Sequence, residues 1–170
     1  MYFEVIRQCS ESLRNLEACL DKAEGYAANK EIDIGVLLNA RLAPDMQAFI
    51  YQVQSACDYV KAGAAWLSGQ QPPRHPDTET TVGEVRARIR KTADFAEGVT
   101  DGQYAKAAEQ KVRLSWAPGK VLPGKDYLLQ MVVPNAYFHM AMAYAILRQG
   151  GVDVGKSDFL GAIRWAGAPA

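Results

Sequence analysis

The sequence predicts an all-α protein: a four-helix bundle with a long connection between helices 1 and 2 and a small hairpin or extended segment before helix 4. Three observations carry that prediction. Four stretches place apolar residues at alternating three- and four-residue steps. Segments rich in proline and glycine separate them. Period-two alternation is found at Val112, Leu114 and Trp116, enough for a small hairpin. The chain reads as a single domain, 1–170, without internal repeat or low-complexity tract.

The first helix spans Tyr2 to about Tyr26. Its stripe is Ile6, Cys9, Leu13, Leu16, Leu20 and Ala23, with Arg14, Glu17 and Asp21 off it. Gly25 is the expected stop. Ala28 to Arg41 is a connection with room for one short helical turn. The second helix is expected from near Ala43, with Pro44 at the first helical position, where a missing N–H costs nothing. Its stripe runs Met46, Phe49, Ile50, Val53, Ala56, Cys57, Val60, Ala64 and Leu67, and Gly69 closes it. Gln70 to Thr80, with Pro72, Pro73 and Pro76, is an extended surface connection.

Thr81-Val82-Gly83-Glu84 has capping-box spacing, so a third helix starts there and ends by Gly98. It turns Val82, Val85, Ile89, Ala93 and Ala96 inward. Val112 to Trp116, then Pro118-Gly119, reads as a hairpin or an extended lid. The fourth helix runs from Gly124 or Lys125 to Gln149, is kinked by Pro134, and ends at Gly150-Gly151. In the tail, Val152 to Ala170, the residues Phe159, Leu160, Ile163 and Trp165 are expected to pack back.

Several function classes are disfavoured at once. Nineteen basic and nineteen acidic residues balance to zero and are interspersed, so there is no basic face for nucleic acid. Glu4, Arg7 and Glu11 interrupt the N-terminus too early for a signal peptide. The longest apolar run, Leu128 to Leu147, contains Gln130, Asn135 and His139 and reads as a core helix, not a membrane span. Cys9, Cys19 and Cys57 are odd in number, lack C-x-x-C spacing and sit in helical stretches, which points to the cytoplasm.

The candidate chemistry is sparse. Asn135 and His139 lie one turn apart on the fourth helix. One face there reads Leu128, Val132, Asn135, His139, Met142 and Ile146; the neighbouring face, Leu129, Val133, Ala136, Met140, Ala143 and Leu147, is wholly apolar and available to another helix or subunit. A neutral histidine that donates from one nitrogen and accepts at the other is satisfied in a core without any function. The alternative is a site inside the bundle, where facing helices place ligands. Asp45, at the start of the second helix, is the candidate partner, though a first-turn acid is also explained by the helix dipole. His75 lies in the proline-rich loop. One histidine, one asparagine and one aspartate make a weak metal site, since zinc or nickel wants three or four converging donors. Trp116, Trp165 and Tyr137 are candidates for lining a pocket, with packing as the default. No Gly-rich phosphate loop, paired-carboxylate motif or nucleophile elbow occurs.

Leu42-Ala43-Pro44-Asp45-Met46, Gln52 to Asp58, Gly124 to Leu129, Pro134 to His139 with Ala143 to Arg148, and Gly155 to Gly161 together resemble the DinB/YfiT-like superfamily of four-helix bundles. More narrowly, they resemble a bacterial branch of uncharacterised, domain-of-unknown-function proteins within it. The resemblance implies a bundle with one long crossover and a homodimer. In many relatives it also implies a divalent metal on three histidines, one from the second helix and two a turn apart on the last; some relatives transfer low-molecular-weight thiols. Here His139 matches one last-helix ligand, Asn135 and Ala143 flank it a turn away, and the second helix offers Asp45 without a histidine. The expectation is a dimeric bundle protein with a small-ligand pocket around Asp45, Asn135 and His139 and without the triad. The alternative is a metal-dependent transferase or hydrolase with altered ligands.

Overall fold

The computed structural model describes residues 1–167. Its long helices are α1 (Tyr2–Asn29), α3 (Phe49–Leu67), α4 (Val82–Gly98) and α6 (Val133–Gln149), joined by shorter pieces: α2 (Gly35–Leu38), α5 (Gly124–Asp126) and α7 (Lys156–Leu160). In cross-section the order is α1, α4, α3, α6, each packing on its neighbours, with α4 and α6 at opposite corners. The chain therefore crosses the bundle twice, from α1 to α3 and from α4 to α6, and not once as the resemblance implies. Antiparallel β1 (Lys111–Val112) and β2 (Leu122–Pro123) pin the second crossing, with Lys111 opposite Pro123 and Val112 opposite Leu122. This is the all-α bundle with a hairpin before its last helix.

Burial follows the apolar stripes. Ile6, Cys9, Leu13, Leu16, Leu20 and Ala23 of α1 meet Phe49, Val53, Ala56, Cys57, Val60, Ala64 and Leu67 of α3 in one core. The capping box forms as spaced: the Glu84 N–H donates to Thr81 Oγ1 at 3.3 Å, and Glu84 Oε2 accepts from the Thr81 N–H at 2.9 Å.

Four expectations are corrected. Gly25 does not stop α1, which continues to Asn29; nothing crowds that glycine, and the helix ends only before Glu31, which takes a positive φ of 54°. The second long helix begins at Phe49, not near Ala43, so Pro44 and Asp45 lie in a turn outside it. In the tail, α7 packs on α1 and Phe159 meets Tyr144 edge-on, but Leu160, Ile163 and Trp165 stay exposed. Residues 168–170 lie outside the described part.

The fourth correction positions the site. Instead of a simple kink at Pro134, a π-helical turn, Tyr127–Val132, joins α5 to α6. Proline lacks the N–H needed to continue the ladder, and the wider turn absorbs the mismatch. It carries one extra residue, so everything after it is rotated by about 100° from a straight helix. The core stripe therefore runs Leu128, Val132, Ala136, Met140, Ala143 and Leu147, crossing from one predicted face to the other, with Ile146 of the first face still buried beside it. The apolar face offered to a second subunit is, from Ala136 onward, the bundle's own core. Asn135 and His139 move from the core line to its half-buried flank, beside α3. Gly63 of α3 permits the close approach: a Cβ there would stand 2.7 Å from Val132 Cγ1.

Candidate functional site

His139 is reached from α3 by a side chain that the motif reading passed over. Gln52, one turn into α3 and nearly buried, places its Oε1 2.8 Å from His139 Nδ1. The amide cannot be turned around, because Gln52 Nε2 donates to the Gln47 carbonyl at 3.0 Å. An oxygen only accepts, so Nδ1 carries the imidazole proton and Nε2 keeps the lone pair. Nε2 makes no hydrogen bond within the described protein. Burial holds the His139 pKa below its usual value, which keeps the ring neutral at neutral pH.

Aromatic rings enclose this imidazole. Tyr59 stacks on it with centroids 5.9 Å apart and planes 15° apart; Tyr51 and Phe138 present edges at 6.2 and 5.2 Å. Tyr51 and Phe138 are themselves exposed. The arrangement is a shallow aromatic surface with one acceptor nitrogen.

The other predicted site residues do not converge on it. Asn135 Nδ2 donates to the Met131 carbonyl at 2.7 Å, so the carboxamide is turned back onto its own helix. Asp45 is exposed in the turn before α3. Tyr137 faces α1, where it accepts from Ser12 Oγ at 3.4 Å, and Trp165 is 84% exposed. Trp116, on the hairpin loop, does line a cleft. Among the described residues no three His, Cys, Asp or Glu side chains come together in a way that could hold a metal. The three thiols are buried, and desolvation pushes Cys9 and Cys57 up to about 12 and Cys19 to about 11, far from nucleophilic thiolates.

A second polar centre escaped the sequence reading. Arg88 of α4 is fully buried. It donates to Asp58 at 2.8 Å, Asp77 at 2.9 Å, Glu79 at 3.2 Å and the Pro76 carbonyl at 3.1 Å. Burial alone would lower its pKa, but Asp58 and Glu79 hold it raised. Burial likewise opposes ionisation of Glu79, yet the Gln54 amide and Arg88 keep that carboxyl below its usual range. Residues 70–80 are thus not merely an extended surface segment; they fold over Arg88. His75 sits here with a buried, unpartnered Nδ1, and desolvation followed by Lys61, Lys91 and Arg88 drives its pKa down to about 4. The signal was present: Arg88 stands three residues from Val85 and one from Ile89, on the inward stripe. Gln52 carries a similar signal, being polar on an apolar helix face.

The fold, with one partnered histidine where two helices meet beside a π turn, is that of a DinB-like helical bundle. The chain belongs to the family described as Domain of unknown function (DUF1993), whose model matches residues 1–160. It is similar to the crystal structure of a DinB family member protein from Shewanella denitrificans, with 43% identity, a TM-score of 0.94, and coverage of 98% of this chain and 95% of that one. No curated protein matches the chain. No helix among the described residues is long and apolar enough to cross a membrane.

Proposed function

We propose that this protein is a dimeric, cytoplasmic ligand-binding bundle whose ligand meets the aromatic surface around His139, and that it does not work as a three-histidine metalloenzyme. The observation that carries the reading is the orientation of Gln52. By accepting the Nδ1–H it leaves one acceptor, Nε2, among three rings, which suits a small ligand with a hydrogen-bond donor and a flat or apolar body. The metal expected from the family resemblance does not fit this donor set: one imidazole nitrogen, a carboxamide turned to backbone and an aspartate outside the helix. The binding surface therefore centres on His139, with Asn135 turned to backbone and Asp45 outside it.

Self-association is supported by Ile32, Val36 and Leu42 of the α1–α3 connection and Tyr51 just beyond it, all large apolar side chains left exposed. Three free, buried thiols support a reducing compartment.

The test is to purify the full chain without a histidine tag and measure bound metals by plasma mass spectrometry, before and after dialysis against zinc and nickel. The expected result is no stoichiometric metal and no change in melting temperature. Stoichiometric metal that disappears in His139→Ala would replace this reading with the metal-dependent transferase or hydrolase. Light scattering on the same sample gives the mass, and a monomer at all concentrations removes the dimer.

A further inference from the structure

Tyr59, which stacks on His139, also forms a wall of a cleft of about 160 Å³. Trp66 stands two turns further along α3, Tyr127 comes from the π turn, and Trp116 comes from the loop between β1 and β2. The Trp66 and Tyr127 rings lie 5.5 Å apart and are tilted by 51°, so they form adjoining walls instead of a closed stack. Asp58 is the charged residue of the lining. Its Oδ1 takes both Lys61, at 2.7 Å, and Arg88, at 2.8 Å. Its Oδ2 accepts no hydrogen bond within the described protein, and neither Lys61 nor Arg88 belongs to the walls.

The geometry points to a binding site for an alkylated ammonium headgroup. Each aromatic face carries the negative side of its quadrupole, and a trimethylated cation, poorly hydrated and unable to donate hydrogen bonds, gains most from several such faces. Lys61 and Arg88 already balance the Asp58 charge, so the attraction comes from the ring faces, and the free Oδ2 adds an edge without a donor that would demand an acceptor. The volume is also selective: about 160 Å³ is well below the roughly 300–1,000 Å³ of pockets for larger organic ligands, and suits one compact headgroup. A neutral apolar group of the same shape would gain from contact with the walls but nothing from the ring quadrupoles. The inference rests on the ligand-binding reading and names the cationic end of that ligand; the hydrogen-bond donor is a separate group, such as the hydroxyl of choline.

The experiment titrates the full chain with choline chloride and, separately, with 3,3-dimethylbutan-1-ol, its neutral carbon isostere. The readout is the indole N–H resonances of the three tryptophans. Choline is expected to shift Trp66 and Trp116 saturably, to leave Trp165 alone, and to bind about tenfold tighter than the isostere. Trp116 is 70% exposed, so Trp116→Leu leaves the core intact and is expected to weaken choline by about tenfold. Equal binding of the isostere, an unaffected Trp116→Leu variant, or no saturable shift overturns the cation assignment. A cleft that takes the isostere alone keeps the ligand-binding reading, whereas silence at Trp66, Trp116 and the His139 ring towards both compounds counts against that reading as well.

Discussion

Gln52 Oε1 and His139 Nδ1 stand 2.8 Å apart, joining α3 to α6 across the flank of the bundle. The contact exists because two separate devices agree. The Gln47 carbonyl orients the amide, and the π turn rotates His139 towards it. It sets which nitrogen is protonated, and so what the imidazole offers to any visitor.

Gln52→Glu is expected to raise the His139 pKa. A carboxylate at the Oε1 position favours the imidazolium, which burial now disfavours, and a shift of about one unit or more follows. The chain has only two histidines, so a proton–carbon NMR titration reads it directly. An unchanged titration would show that the Nδ1 contact does not persist in solution.

Arg88→Met is expected to cost about 3–5 kcal/mol in urea unfolding, because removing one partner strands charges that have little water. Glu79 is the decisive one, its side chain being only 6% exposed. Arg88→Lys is expected to recover little, since a single ammonium cannot span acceptors on Asp58, Asp77 and Glu79. A loss under about 1 kcal/mol would put the cluster in the class of exposed ion pairs.

Gly63→Ala tests the π turn. In an exposed helix the change would stabilise by about 1 kcal/mol. Here the new methyl would meet Val132 at 2.7 Å and Ile6 at 3.1 Å, so overpacking of about 1–3 kcal/mol is expected to win. Adding Val132→Ala relieves the clash, so the double variant is expected to be more stable than the sum of the single changes. Simple additivity would mean the helices do not approach this closely.

Stability is expected to fall as pH drops from about 6.5 towards 4, ahead of most carboxylate titration. His75 has a folded pKa of about 4 against an ordinary 6.5, so the unfolded chain binds more protons across that window. Neutral His75 thus contributes stability that is fully present above 6.5 and lost on acidification. His139, also lowered, adds in the same direction. Chemical unfolding at several pH values checks it: His75→Gln is expected to reduce the slope, and an unaltered slope would place the proton uptake elsewhere.

Much of the architecture was legible residue by residue. The Thr81–Glu84 box and the α1 and α3 stripes depend on local hydrogen bonding and helical periodicity, both written in neighbouring residues. The start of α3 was misread because Pro44 is equally at home at a helix start and in a turn. The site was harder to see. A periodicity argument assumes 3.6 residues per turn throughout, and one π turn is enough to rotate the faces of everything after it. The face of Asn135 and His139 was placed on the core line for that reason; in the structure it is a flank, and each of the two has found a different partner.

The sequence by itself determined an all-α chain of four long amphipathic helices, the cap of α4, the hairpin before the last helix, and the absence of a histidine from the second helix. These follow from interactions within a few residues. Only the tertiary structure decided that Gln52 orients His139, that Arg88 is buried beneath the proline-rich segment, and that Tyr59, Trp66, Trp116 and Tyr127 share one cleft. Each of those joins groups far apart in the chain, and a side chain's partner across a bundle depends on helix rotation and approach, here set by a π turn and a glycine.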